Sequence, residues 1–226
     1  MNKTKQDNAG TTSSMAPMNA VCLFALLAVA SIGLAWVNNE FVITKEVFRT
    51  LAGNPGNSAQ ADAQYEAVQS IRIWGYVMAP LQTAFRIGLI AMVVQVVCLI
   101  GGVEIKFATL FRIASVAFGA VLFGSVLQIL WIVKLPATAN TRAALGIVPD
   151  SVAAWVGLAS DTPTFLYLVL SRVSFTSLLW MLLVYWGLSE TKKLRPGGAA
   201  TVTTATWLIV STLQVGTTLF MRELIT

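Results

Sequence analysis

Histidine is absent from the 226 residues of this chain, and charged residues make up only 11% of them. An ordinary globular domain carries roughly a quarter charged residues. Without histidine the chain lacks the commonest zinc ligand, the usual axial ligand of b-type haem and the side chain that titrates near neutral pH. Phosphate loops, nucleophile elbows and HExxH helices are also missing. The sequence therefore predicts no enzymatic activity, no metal site and no cofactor.

Cysteine is nearly as scarce, and Cys22 and Cys98 each lie alone inside an apolar run. This spacing excludes a CxxC metal motif and a framework of extracellular disulfides. Both residues are therefore predicted to pack as small side chains. The chain also lacks a run of basic residues, so nucleic acid is not an expected partner.

Hydrophobic residues, in contrast, make up 56% of the chain. Five apolar runs are each at or near the length that crosses a hydrocarbon core of about 30 Å at 1.5 Å per residue. They cover residues 19–37, 77–101, 110–133, 164–188 and 203–220. The sequence therefore predicts an all-α integral membrane bundle with about five transmembrane helices.

The first run admits a second interpretation, as a secretory signal peptide. Lys3 and Lys5 precede it, and residues 28–30, Ala-Val-Ala, resemble the small-residue site at which signal peptides are cleaved. The apolar stretch nevertheless continues past that site to Trp36. We therefore expect a first transmembrane helix at residues 19–37, preceded by a polar cytoplasmic tail at residues 1–18.

Residues 38–76 form the longest segment between predicted spans, and a Gly-Asn-Pro-Gly loop signal divides it at residues 53–56. A helix is predicted on each side, TKEVFRTLAG before the loop and a longer one from about Ser58 after it. Apolar residues recur at helical spacing in the second: Tyr65, Val68, Ile71 and Trp74. This stripe indicates an extracytoplasmic amphipathic helix on the membrane surface.

A second extramembrane helix is predicted between the third and fourth spans. Asp150-Ser151 provides a cap for the short apolar stretch SVAAWVGLA, which is too brief to span and is expected to lie in the interface or to re-enter the membrane. Thr162 and Pro163 follow, and they are predicted to be the N-cap and the first helical residue of the fourth span.

Basic residues set the predicted orientation. The tail, residues 102–112 and residues 189–202 are short and basic, whereas the longer segments are slightly acidic overall. By the positive-inside rule the N-terminus faces the cytoplasm and the C-terminus lies outside, in what we expect to be a bacterial cytoplasmic membrane.

The third span has small residues four apart, Ser115 with Gly119 and Ala120 with Gly124. Such spacing permits close helix contact in lipid, so this span is predicted to be the central helix. Small residues are also common in any membrane helix, and that simpler explanation stays open.

Only two charges lie well inside the apolar runs, Arg86 and Arg172. Charges within membrane spans are costly and mark candidate sites. Because both are expected roughly 10 to 12 Å below the outer surface at 1.5 Å per residue, they are candidates for a shared vestibule. There they would bind an anion or anionic lipid, or pair with an acidic residue of the outer loops. The other predicted contacts of this vestibule are Gln82, Ser171 and Thr176. The alternative is that both arginines extend to the interface as packing residues.

From Trp74 to about residue 222 the order of features resembles the Yip family, multi-span membrane proteins named for interaction with Ypt/Rab GTPases. The segments that carry the resemblance are WGYVMAPLQTAFRIG, KFATLFRIASVAFGAVLFGS and SFTSLLWMLLVYWGL, with Trp180 followed by Gly187 and a basic turn before the last span. The resemblance implies a four-helix Yip-like membrane domain at residues 77–226. It also implies action through partners or on the membrane, without catalytic residues.

These features predict a non-enzymatic scaffold or accessory subunit of a larger membrane complex, with membrane lipids and other membrane proteins as partners. The alternative is a small anion transporter or channel that uses Arg86 and Arg172. A membrane-embedded enzyme would need a nucleophile and a base brought together by the fold.

Overall fold

The computed structural model of this chain is built almost entirely from helices. It describes residues 20–42, 44–45, 49, 58–134, 148–157 and 165–225. The helices are α1 (Ala20–Val37), α2 (Ser58–Ser70), α3 (Arg72–Ile100), α4 (Phe107–Lys134), α5 (Val152–Trp155), α6 (Phe165–Arg172), α7 (Phe175–Glu190) and α8 (Pro196–Ile225). A π-helical turn, Asn38–Val42, continues α1. The predicted all-α helical bundle is confirmed.

Four helical segments in the described ranges are long and apolar enough to cross a membrane: Val21–Val42, Arg72–Ile100, Phe107–Lys134 and Pro196–Met221. Many of their large apolar side chains are exposed in the monomer, which suits a lipid environment. The chain is therefore a multi-pass membrane protein. The first, second, third and fifth predicted spans fall on these segments.

The fourth predicted span, residues 164–188, is divided into two helices. α6 has eight residues and α7 has sixteen, and Val173 and Ser174 separate them. Neither half reaches the roughly 20 residues of a membrane-spanning helix. The break has a local cause, because the Ser174 side chain caps the N-terminus of α7 and its own backbone is extended.

α4 lies at the centre of the bundle and contacts α1, α3 and α7. α8 packs on α3, α6 and α7. The main buried cluster gathers on α4 and includes Leu110, Ala117 and Phe118, together with Ile87 of α3 and Leu188 of α7. The position of α4 agrees with the expectation from its small residues.

The small residues of α4 differ in how closely they are packed. A Cβ placed on Gly124 would lie only 2.8 Å from Cγ2 of Thr176 in α7, whereas a Cβ on Gly119 would meet no heavy atom within 4 Å. Ser115 and Ala120 are buried, and the Ser115 hydroxyl donates to the Phe111 carbonyl. Gly124 is therefore the glycine of this pattern that permits close helix contact.

α7 approaches α4 equally closely at its other end. A Cβ on Gly187 would lie 2.8 Å from Cγ2 of Ile113. Both neighbouring side chains, Thr176 and Ile113, are β-branched and stiff at χ1, so neither moves aside easily. The contact between α4 and α7 depends on a glycine at each end.

The two basic loops of the described ranges lie side by side. α3 ends in a Schellman motif in which Gly102 adopts a φ of 71° and its amide donates to the Leu99 carbonyl. The Lys193 ammonium, in the loop between α7 and α8, donates to the Glu104 carbonyl at 2.6 Å. The loops 101–106 and 191–195 therefore share one end of the bundle.

The opposite end carries the segment between α1 and α3. Arg72 donates to Glu40 and to the Tyr76 hydroxyl, which ties the π-helical turn to the start of α3. Asp62 of α2 accepts from Arg49 and pairs with Lys45, and these hydrogen bonds lower the pKa of Asp62 to about 2.

The predicted amphipathic helix is described in part. α2 begins at Ser58 as expected, but it ends at Ser70, and Ile71 and Trp74 are 60% and 63% exposed. The predicted stripe therefore runs from α2 into α3. Of the preceding predicted helix, Thr44, Lys45 and Arg49 are described, and its other residues and the loop at residues 53–56 lie outside the described ranges.

Alanine substitution at the glycines of α4 and α7 tests the packing. We expect Gly124→Ala and Gly187→Ala each to lower the free energy of unfolding by about 1–3 kcal/mol, because the added methyl group overlaps a β-branched side chain. Gly119→Ala is the matched control and is expected to be neutral or slightly stabilising, since alanine favours a helix. Chemical unfolding in detergent micelles measures the three variants. An equal effect at Gly119 and Gly124 would contradict the packing described.

Candidate functional site

The break between α6 and α7 is bridged by residues 150–152, which lead into α5. The Val152 amide donates to the Val173 carbonyl at 2.9 Å, and the Phe175 amide donates to the Asp150 carbonyl at 3.2 Å. Ser151 and Ser174 face each other as a single antiparallel bridge. Interrupted backbone inside a membrane needs such partners, because an unsatisfied amide or carbonyl there costs several kcal/mol.

Side chains complete the N-terminus of α7. The Ser174 hydroxyl accepts from the Ser177 amide, and the Ser177 hydroxyl accepts from the Ser174 amide, both at 3.0 Å. One oxygen of Asp150, Oδ2, accepts from the Thr176 amide at 2.8 Å and from the Thr176 hydroxyl at 2.5 Å. A carboxylate is favourable at this position because a helix N-terminus carries partial positive charge.

The sequence predicted that Asp150 and Ser151 together cap the short helix, but in the structure they cap different helices. Ser151 caps the short helix as predicted, since its hydroxyl accepts from the Ala154 amide. Asp150 instead caps α7, which is 25 residues further along the chain. Residues 158 and 159 of the predicted short helix lie outside the described ranges.

A cavity of about 290 Å³ lies against this break and is called here the Asp150–Arg172 cavity. α4, α6, α7 and α8 contribute to its wall, and its polar lining includes Asp150, Ser171, Arg172, Thr176, Ser211 and Gln214. Trp180, the tryptophan of the Yip-like pattern, is buried and also lines it. The wall is mainly apolar with a few polar and charged groups, which is the usual composition of a small-molecule site.

Arg172 presents a partly unsatisfied guanidinium to this cavity. Its Nη1 donates to Oε1 of Gln214 at 2.7 Å. Its Nε is buried and lacks a hydrogen-bond partner among the described residues. A buried donor without an acceptor is costly. Because the surrounding protein closes off this nitrogen, a ligand acceptor would have to bind another nitrogen of the guanidinium.

Arg86 lies in a different cavity, of about 330 Å³, called here the Arg86 cavity. Gln82, Thr83 and Ser31 line the same space, and the hydroxyls of Ser31 and Thr83 are 2.8 Å apart. Ser31 also donates to the Leu27 carbonyl. This cavity lies among α1, α3 and α4.

The five residues predicted to share one vestibule are therefore distributed between two cavities. Arg86 and Gln82 line the Arg86 cavity, and Ser171, Arg172 and Thr176 line the Asp150–Arg172 cavity. Both cavities share three wall residues on α4: Val121, Ser125 and Gln128. The sequence predicted an equal membrane depth for the two arginines, but it did not show that α4 lies between them.

Three serine hydroxyls around the Asp150–Arg172 cavity donate to backbone carbonyls. Ser171 donates to the Leu168 carbonyl, Ser125 to the Val121 carbonyl and Ser177 to the Ser174 carbonyl. Such back-bonded hydroxyls contribute to helix structure, whereas the guanidinium and the second carboxylate oxygen are available for a ligand. The arrangement is suited to binding a charged group.

Sequence reasoning did not identify Gln214 or assign Asp150 to this site. Gln214 is 42 residues from the arginine that it contacts, and a glutamine in a predicted span has no local signal of its partner. Ser171, Ser174 and Ser177 offered a signal for the break, because serine is favoured at helix N-caps and disfavoured within helices.

Replacement of Asp150 tests its role as the cap of α7. We expect Asp150→Ala to lower the free energy of unfolding by about 1–2 kcal/mol, because the Thr176 amide and hydroxyl lose their acceptor. Asp150→Asn is the matched control, since asparagine keeps a side-chain oxygen and is an equally good cap. Chemical unfolding in detergent compares the two, and an alanine variant as stable as the asparagine variant would contradict the assignment.

In comparisons with known proteins, no family model, no curated protein and no solved structure matches the chain.

Proposed function

We propose that this chain is a non-enzymatic integral membrane protein that serves as a scaffold or accessory subunit of a larger membrane complex. The observation that carries the proposal is an exposed face of α8. Thr204, Leu208, Thr212 and Gly216 recur there every four residues, and all four are exposed. Residues at this spacing lie on one side of a helix.

This face suits another helix better than it suits lipid. Thr212 and Gly216 are small residues four apart, a pattern that permits close approach of helix backbones in a membrane. A Cβ on Gly216 would meet no heavy atom within 4 Å. The most apolar window of α8 has a mean hydropathy of 1.2, compared with 2.2 in each of the other three candidate spans.

The occupant that we propose for this face is one transmembrane helix of a partner protein. The corresponding residues of α4 do not offer an equivalent surface, because Gly124 already packs against Thr176 and Ser115 and Ala120 are buried. The resemblance to the Yip family supports the same class of function, since it implies action through partners.

The proposed location is a bacterial cytoplasmic membrane with the N-terminus inside and the C-terminus outside. In this arrangement α6 and α7 together cross the membrane between α4 and α8. The basic loops that meet through Lys193 and Glu104 support this orientation, because short basic loops face the cytoplasm. The segment that contains Glu40, Asp62 and Arg72 then lies on the outer side.

Replacement of Gly216 by a large residue tests the proposed surface. Affinity purification of the full chain from native membranes in mild detergent is expected to recover a membrane protein partner. Gly216→Leu is expected to reduce that recovery by about tenfold, because a bulky side chain prevents close helix approach.

Gly33→Leu is the matched control for this experiment. Gly33 is exposed on α1, and a Cβ there also meets no heavy atom within 4 Å. The control is expected to recover as much partner as the unaltered chain. Equal recovery with both variants, or a chain that purifies alone, would contradict the proposal.

A second candidate function is a small anion transporter or channel. It is favoured by the walls that the two arginine cavities share, because Ser125 and Gln128 of α4 are polar and stand between Arg86 and Arg172. A displacement of these α4 side chains would join the two cavities. The guanidinium groups would then stabilise an anion on each side of α4.

Flux measurements test this second candidate. Liposomes that contain the purified chain are expected to release an anion such as chloride or phosphate faster than empty liposomes. Arg86→Gln combined with Arg172→Gln is expected to lower the rate to that of empty liposomes, because both charged contacts are lost. A rate that is unchanged by the double substitution would contradict an arginine-lined path.

A further inference from the structure

The Asp150–Arg172 cavity contains a carboxylate and a guanidinium that do not bind each other. Asp150 uses Oδ2 to cap α7, and its Oδ1 has no partner within the described ranges. Arg172 uses Nη1 to bind Gln214, and its buried Nε has no hydrogen-bond partner among the described residues. The cavity therefore offers one acceptor and one charged donor at separate places.

Opposite charges inside a membrane protein normally pair, because each is costly to hold in a medium of low dielectric constant. Here each charge is held in place by other contacts, Asp150 by the α7 N-terminus and Arg172 by Gln214. A ligand with one positive and one negative group would complement both positions. A simple anion would satisfy Arg172 but would be repelled by Asp150.

The cavity adjoins a groove on the outer surface of the bundle. Arg172, Val210 and Gln214 line both spaces, and the groove, of about 560 Å³, is also lined by Leu89, Leu213 and Met221. These three apolar side chains are between 43% and 56% exposed. A molecule with its polar end in the cavity would therefore have an apolar surface beside it.

The depth of the pair agrees with this arrangement. Arg172 is the last residue of α6, roughly 10 Å along that helix from Phe165, and Gln214 is roughly 10 Å along α8 from Met221. With Phe165 and Met221 placed at the membrane surface, both positions would lie within the outer third of a hydrocarbon core of about 30 Å. A lipid head group drawn a short way inward reaches this depth.

We infer that the Asp150–Arg172 cavity binds a phosphoethanolamine group, with the phosphate on Arg172 and the primary ammonium on Asp150. The phosphate oxygens would accept from Nη2 of Arg172, since Nε is closed to solvent and Nη1 binds Gln214, and the ammonium would donate to Oδ1 of Asp150. The group could belong to a phospholipid, with its acyl chains in the groove, or to a free phosphoethanolamine. This inference is independent of any protein partner.

Lipid retention measured by native mass spectrometry tests the inference on the purified full chain. The chain is exchanged into mixed micelles that contain equal amounts of phosphatidylethanolamine and phosphatidylglycerol. Both lipids carry a phosphate diester, but only the first carries an ammonium group. We expect the unaltered chain to retain phosphatidylethanolamine about tenfold better, because the second lipid leaves Asp150 unpaired.

Two substitutions separate the two contacts. Asp150→Asn keeps an acceptor for Thr176 and is expected to abolish the preference between the lipids, and Arg172→Gln is expected to abolish retention of both. Lys106→Gln, at an exposed position in the loop at residues 101–106 and outside both cavities, is the control that leaves retention unchanged. Thermal unfolding in the same micelles verifies that each variant is folded.

Addition of free O-phosphoethanolamine distinguishes the two sources of the group. Displacement of the lipid, with binding of the free compound that Arg172→Gln abolishes, would support a site for the soluble compound. Retention of the lipid in the presence of excess free compound would support a lipid site. Equal retention of the two phospholipids by the unaltered chain, or retention unaffected by both Asp150→Asn and Arg172→Gln, would overturn the inference.

Discussion

The hydrogen bonds between residues 150–152 and 173–176 are the interaction on which the rest of this structure depends. They supply partners to the backbone that is interrupted between α6 and α7, where lipid offers none. Because these partners come from the residues at the start of α5, the break and this segment are stable only together. The same contact brings a carboxylate into the bundle, and this carboxylate stays at the edge of a cavity rather than in solvent.

The consequence for function is a binding site assembled from distant parts of the chain. Asp150 arrives with the loop, Arg172 ends α6, and Gln214 is contributed by α8. Each charge has a structural reason for its position, yet the two remain unpaired with each other. A membrane protein that acts through partners or lipids has a use for such a site, because a bound head group would stabilise α6, α7 and α8 in one arrangement.

Hydropathy and helix-cap chemistry predict much of the fold, since four apolar runs and the Ser151 cap depend on neighbouring residues. The failures concern distant contacts. Gly119 and Gly124 look alike in the sequence, but only Gly124 meets a side chain of α7. Arg86 and Arg172 share a depth, but α4 separates their cavities. The break at Ser174 was missed, although serines around it offered a signal, because the apolar residues on both sides indicated a single span.

Disulfide formation between positions 151 and 174 tests the central contact most directly. Facing residues in a non-hydrogen-bonded antiparallel pair have Cα atoms about 4.5 Å apart, which is within the range of a disulfide. In a background with Cys22→Ser and Cys98→Ala, we predict rapid cross-linking of Ser151→Cys with Ser174→Cys on mild oxidation in membranes. Ser151→Cys with Ser189→Cys, at the far end of α7, is predicted to remain reduced. A 151–174 pair that fails to cross-link would contradict the bridge, as expected for one continuous helix that passes residue 174 without contact to the loop.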